Sequence, residues 1–123
     1  MNIRIMDTSI MLNLLEVPDR CDEKDAVKKE LEKAIHDKDT LILPLATIIE
    51  TGNWIAQIHG KKRYDIARTF SEYLAKTYQR KAPWSCDNTE ISEEDLKFYS
   101  EEYLSFADRG IGMGDLSITE RHP

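Results

Sequence analysis

The apolar residues of this chain follow two patterns, short clusters and a helical repeat. Short, mainly apolar segments at residues 2–6 and 41–43 predict two buried strands. Residues 23–37 place apolar side chains on one helical face and charges on the other, which predicts an amphipathic helix whose inner face is Ala26, Val27, Leu31, Ala34 and Ile35. Further helices are predicted over residues 8–15, 45–58, 64–78 and 92–107, with a loop at 82–88.

This order of elements predicts an α/β domain with a central parallel sheet. The two strands are short and mainly apolar, as doubly covered strands are, so we expect them to be parallel neighbours in the centre of the sheet. Two strands alone rarely make a stable sheet, and the element that begins at Leu116 stops at Pro123. The pattern therefore predicts one domain over residues 1–123 whose C-terminal part is missing. Its sheet edge would be open, or covered by a second copy in a homodimer.

Composition limits the classes of protein to which the chain can belong. Hydrophobic residues make up 41% and charged residues 33%, which is typical of a globular domain rather than a disordered one. The net charge of −6 does not favour nucleic acid, so any such contact must be local. No apolar run approaches the roughly 20 residues of a membrane span. Cys21 and Cys86 are isolated, which indicates packing residues in a reduced, cytoplasmic compartment.

Three separated acids are the candidate chemistry. Asp7 ends the first strand, Glu50 lies in the helix after the second, and Asp115 follows a turn with three glycines in five residues. Asp7 and Asp115 could each be a helix cap, and Glu50 could be an ordinary solvent-facing residue. Acids at strand ends and adjoining helices can also converge at one sheet edge. Clustered carboxylates repel one another unless a cation lies among them, so convergence would imply Mg²⁺ or Mn²⁺.

The segments around these acids, residues 6–15, 43–50 and 112–118, resemble the PIN-domain nucleases, the fold of VapC-type toxins. The resemblance implies a three-layer α/β/α sandwich, a divalent metal and hydrolysis of phosphodiester bonds, usually in RNA. It implies that Asp7, Glu50 and Asp115 are the catalytic and metal-binding acids. Around them, Thr8 or Ser9 would orient the site through a hydroxyl, and Asn53, one helical turn after Glu50, would support it. A toxin of this kind implies an antitoxin protein as partner.

The chain also departs from this family. PIN domains usually carry a further acid near the end of a late strand, and Glu120 is the only acid after Asp115 and follows it too closely. Either the chain is truncated or the site has three acids. The missing acid and the negative net charge leave a second hypothesis open, a non-catalytic PIN-like interaction module.

Basic residues indicate where RNA would bind. Lys61, Lys62 and Arg63 follow Gly60 in a predicted loop, and Arg109 lies six residues before Asp115. The remaining cations of the next helix are interpreted as a solvated face. Trp54 and Trp84 could stack on bases, but packing in the core or in a dimer is the favoured interpretation for both. The histidines, which lack metal-binding spacing, are interpreted as surface residues: His36, His59 and His122.

Overall fold

In the computed structural model, residues 2–86 and 91–108 are described, the last four of them by their backbone only. These residues form a mixed α/β fold with a small parallel sheet. Its elements are β1 (Ile3–Ile5), α1 (Thr8–Leu14), α2 (Lys24–His36), β2 (Thr40–Ile42), α3 (Leu45–Ala56), α4 (Lys61–Tyr78), β3 (Trp84–Ser85) and α5 (Glu93–Asp108).

The predicted helices are confirmed, and the segment at 82–88 is where the prediction is wrong. Instead of a loop throughout, it contains β3, which pairs in parallel with β2. A strand of two residues beside Pro83 has no alternating pattern that a sequence window could detect. Within α2 the predicted inner face is also too wide, because Ala26 and Ile35 are exposed.

The two predicted strands are parallel neighbours, with Arg4 opposite Leu41 in the register. However, β2 occupies the middle of the three-stranded sheet and β1 lies at its edge among the described residues. Ile3 and Ile5 point to the opposite face from Arg4 and are 71% and 53% exposed. The expectation that β1 lies covered on both faces in the centre of the sheet is therefore wrong for this part of the chain.

The other face of the sheet carries the core. Leu41, Leu43 and Trp84 are buried there, and the ring N–H of Trp84 donates to the hydroxyl of Thr77 on α4 at 2.9 Å. Helix α2 covers the β1 end of the same face, where Leu31 and its neighbours lie beside Arg4 and Leu41. The helices on this face, rather than the short strands, thus provide most of the buried apolar surface.

Tyr103 anchors α5 to α3. Its ring is fully buried and meets Phe70 of α4 edge-on, with 5.5 Å between the ring centroids. Its hydroxyl donates to the backbone carbonyl of Gly52 at 3.0 Å. Ser71 of α4 and Ser100 of α5 also donate to each other's carbonyl groups. These contacts fix α3, the helix that carries Glu50, against the two longest helices.

No helix in residues 2–86 or 91–108 is both long enough and apolar enough to cross a membrane.

Asp39 joins the starts of β1 and β2. Its carboxylate, 2% exposed, accepts hydrogen bonds from the Asn2 N–H and from Arg4 Nε, both at 2.9 Å. The Asn2 N–H, and after it the Arg4 guanidinium, hold the pKa of Asp39 below its usual value against the opposing effect of burial. Both donors favour the ionised carboxylate, so this contact between the starts of β1 and β2 is strongest while Asp39 is charged.

We expect Asp39→Asn to lower the free energy of unfolding at pH 7. We also expect the free energy of unfolding of this variant to decrease less as the pH is lowered. The folded-state pKa lies below the unfolded one, so the stabilisation is present above about pH 4 and is lost as pH falls through the folded pKa. Urea unfolding at pH 7 and pH 3 measures this. Asp37→Asn, an exposed neighbour paired with His36, is the control. A variant as stable as this control at both pH values would contradict the role of Asp39.

Candidate functional site

Asp7 lies between β1 and α1 and caps the helix. It is in an extended conformation, and its Oδ1 accepts a hydrogen bond from the Ile10 N–H at 2.9 Å. Such a cap satisfies one of the N–H groups that a helix start leaves without an intrahelical partner. The second carboxylate oxygen makes no hydrogen bond or ion pair with any described residue. Asp7 is exposed, so this oxygen remains available to a cation.

Glu50 is brought to the same helix end by Thr8. The Thr8 hydroxyl donates to Glu50 Oε2 at 2.6 Å, across 42 residues of sequence. This length is typical of a charge-assisted O–H···O⁻ hydrogen bond. Two of the three predicted acids therefore flank one residue, Thr8, beyond the end of β1. Of the two candidate hydroxyls, that of Thr8 donates to an acid. Ser9 lines the same surface depression as Thr8 and Glu50.

Glu50 lines a surface depression of about 450 Å³, here called the acidic cleft. The acidic cleft is lined by Thr8, Ser9, Leu12, Asn13, Asp19, Arg20, Asp22, Glu23, Glu50 and Trp54. The acids that the α1–α2 connection adds to this cleft were not predicted from the sequence. Buried Asn13 holds that connection in place, because it donates to the Ser9 carbonyl at 2.8 Å and accepts from the Glu23 N–H at 2.9 Å. An asparagine within the apolar face of α1 was the available signal.

Trp54, one turn after Glu50 on α3, forms the wall of the acidic cleft. Asn53, the predicted supporting residue, is half-buried and is not among the residues that line it. The guanidinium carbon of Arg20 lies 4.2 Å from the centroid of the Trp54 ring, in cation–π geometry. Asp19 helps to place Arg20 there, because its positive φ of 65° turns the chain. Aspartate tolerates this left-handed conformation better than most residues.

A second depression, of about 370 Å³, shares Asp19, Arg20 and Trp54 with the acidic cleft. We call it the basic groove; it is lined by Val17, Pro18, Asp19, Arg20, Trp54, Gln57, Ile58, His59 and Lys62. Of the three cations predicted to bind RNA, Lys61, Lys62 and Arg63, it is Lys62 that lines this groove.

The basic triplet was predicted in a loop, and this placement is wrong. Helix α4 begins at Lys61, so Lys61, Lys62 and Arg63 form its first turn after Gly60. Gly60 has φ 82° and ψ −165°, a conformation that is essentially restricted to glycine. Cations are unfavourable at the positive end of a helix dipole. The triplet therefore gains no stabilisation from the dipole of its own helix.

Two predicted site residues, Asp115 and Arg109, lie outside the described residues, and so does His122. In the described ranges, 2–86 and 91–108, no three histidine, cysteine or acidic side chains form a group that could hold a metal. Asp7 does not line the acidic cleft that contains Glu50. Both residues, each close to Thr8, nevertheless offer carboxylate oxygens of the kind that Mg²⁺ or Mn²⁺ binds. These hard cations prefer oxygen ligands, and Mg²⁺ is usually bound by one or two carboxylates together with water and substrate phosphate.

The other candidate residues have ordinary surroundings. Trp84 is 7% exposed and its N–H is bonded to Thr77, so most of its ring is covered by the protein. His36 and His59 are exposed, as predicted, and the two cysteines are half-buried and form no disulfide within the described residues. Trp54 is therefore the tryptophan that remains as a contact for ligand.

Comparisons of the chain with protein-family models, curated proteins and solved structures found no match.

Proposed function

We propose that this protein is an Mg²⁺- or Mn²⁺-dependent endoribonuclease that acts in the cytoplasm as the toxin of a toxin–antitoxin pair, on a three-layer PIN-like fold. The observation that carries the proposal is the hydrogen bond from Thr8 to Glu50. It joins the second acid to the helix that the first acid, Asp7, caps. Two carboxylates from distant parts of the sequence thereby lie at the end of one strand, which is the arrangement that the resemblance to PIN nucleases implies.

Asp7, Glu50 and, by the same resemblance, Asp115 would hold the metal. A bound divalent ion lowers the pKa of water and stabilises charge on the phosphodiester. The residues of the chain hold the acids in place: Thr8 keeps Glu50 in one rotamer, and the cap bond to Ile10 fixes Asp7. The basic groove would receive the RNA strand that leaves the acidic cleft.

A PIN-like interaction module without catalysis is the second candidate. Residues 2–86 and 91–108 contain no group of three acids that could hold a metal, and the net charge of the chain is −6. Two carboxylates alone bind a divalent ion more weakly than a larger acidic site, because the number of charged ligands tunes affinity. This candidate predicts protein binding without cleavage of RNA.

The proposal is tested by cleavage of single-stranded RNA by the chelator-treated protein, before and after Mn²⁺ is added. We expect cleavage only with Mn²⁺. Thr8→Val removes the donor to Glu50 without changing side-chain size, so we expect cleavage to fall about tenfold, as for residues that orient metal ligands. Thr8→Ser keeps a hydroxyl and should retain most of the activity. Absence of both cleavage and Mn²⁺ binding in the unmodified protein would favour the interaction module.

A further inference from the structure

The acidic cleft and the basic groove meet at one pair of side chains, Arg20 stacked on Trp54. Both residues line both depressions, so a chain of nucleotides that extends from Glu50 toward Lys62 would lie beside them. The pair therefore lies where the two depressions meet.

Arg20 is held by stacking rather than by a salt bridge. It is exposed and makes no ion pair with any described residue, although the acidic cleft also contains Asp19, Asp22 and Glu23. Its guanidinium carbon lies over the Trp54 ring, 4.2 Å from the centroid. A guanidinium is planar, its N–H donors suit phosphate oxygens, and its faces can stack on another planar group.

We propose that the Arg20–Trp54 pair is a binding site for a nucleotide of single-stranded RNA, an inference that rests on the proposed function for the identity of the polymer. An unpaired base stacks on the outer face of the guanidinium, and the adjacent phosphate accepts hydrogen bonds from its N–H groups. Unpaired bases are commonly bound by aromatic rings and guanidinium planes. Lys62, at the far side of the pair, binds the next phosphate along the basic groove.

The two depressions differ in charge, and this difference determines where RNA binds when no metal is present. The acidic cleft repels phosphate when no cation is bound, whereas the first turn of α4 beside the basic groove carries three cations. Binding without metal must therefore be dominated by the Arg20–Trp54 pair and Lys62. This separates binding of RNA from cleavage, because the first can be measured in chelator.

The test measures binding of two fluorescent probes to the full chain in EDTA at low salt. One probe is a single-stranded oligouridylate, and the other is an abasic oligomer of equal length, which keeps the phosphates and lacks the bases. The variants are Arg20→Gln, which removes the charge, and Arg20→Lys, which keeps the charge and removes the planar stack. Arg68→Gln is the matched control, because Arg68 is an exposed arginine on α4, paired with Glu72 and outside both depressions.

We expect Arg20→Gln to weaken oligouridylate binding about tenfold and to reduce the dependence of log Kd on log salt by about one phosphate contact. Arg20→Lys should weaken oligouridylate binding severalfold and leave binding of the abasic oligomer almost unchanged. Arg68→Gln should behave as the unmodified protein with both probes. The proposal is overturned if the unmodified protein binds neither probe, if Arg20→Gln binds as Arg68→Gln does, or if Arg20→Lys retains full affinity for oligouridylate.

Failure of this inference is distinguishable from failure of the proposed function. Binding that depends on Arg20, together with no metal-dependent cleavage, would support the nucleotide site and contradict the nuclease. Mn²⁺-dependent cleavage with Arg20 variants that bind and cleave normally would support the nuclease and contradict the nucleotide site.

Discussion

Asp7→Asn is expected to reduce metal-dependent RNA cleavage at least 100-fold while the fold is unchanged. The substitution removes one negative charge from the proposed metal site, and a bound divalent ion contributes several kcal/mol of transition-state stabilisation, where about 1.4 kcal/mol corresponds to a factor of ten. Asparagine caps helices about as well as aspartate, so its side-chain oxygen can still accept the Ile10 N–H. Single-turnover cleavage in Mn²⁺ and urea unfolding together separate the loss of activity from a loss of structure.

The control for this experiment is Asp25→Asn. Asp25 is an exposed aspartate in the first turn of α2 and lines neither the acidic cleft nor the basic groove. We expect this variant to cleave as the unmodified protein does. If Asp7→Asn cleaved equally well, the activity would come from another site or from a contaminant, and the proposed role of Asp7 would be wrong.

Tyr103→Ala is expected to lower the free energy of unfolding by about 3–5 kcal/mol, as removal of a buried aromatic ring does. Its ring contacts Phe70, and its hydroxyl donates to Gly52, so the substitution loosens α5 from both α3 and α4. Stabilities of domains are only about 5–15 kcal/mol in total. Urea unfolding measures the change, and Tyr64→Ala, an exposed tyrosine on α4, is the control. Equal stability of the two variants would show that α5 does not depend on this anchor.

Tyr103→Phe separates the hydroxyl from the ring. Burial raises the pKa of Tyr103 far above its usual value of about 10. The neutral phenol therefore stabilises the fold fully below about pH 10, and this stabilisation decreases as pH rises toward the folded-state pKa. We expect Tyr103→Phe to lose about 1 kcal/mol near pH 7, as for one buried hydrogen bond, and to show a shallower loss of stability at alkaline pH.

Local elements were predictable because their causes lie within a few residues. The Asp7 cap joins a carboxylate to the N–H three residues later. The helices from α1 to α5 follow apolar spacing, and Gly60 ends the segment before α4. The strand β3 escaped prediction for the opposite reason. Its two residues, Trp84 and Ser85, become a strand only because β2 provides their hydrogen-bonding partners.

The candidate site was only partly predictable from the same information. Glu50 was selected for its position after a strand, but the helical repeat alone could not separate a cleft from open solvent. Trp54 rather than Asn53 lines the acidic cleft, because a shift of one position on a helix turns a side chain by about 100°. The supporting role of Asn53 stays a prediction. Arg20 had no signal at all, since a single arginine in a loop is compatible with any surface.

For this chain, the sequence alone was enough to predict an α/β domain, its helices and an aspartate at the end of the first strand that could cap the next helix. Each of these depends on near neighbours and on apolar periodicity. The tertiary structure decided that Thr8 bonds Glu50 across 42 residues, that Arg20 stacks on Trp54, and that Ile3 and Ile5 lie on an exposed face of the sheet. These contacts depend on how α1, α3 and the α1–α2 connection pack together. Packing brings together residues that are far apart in sequence, and their separation in sequence does not predict their distance in space.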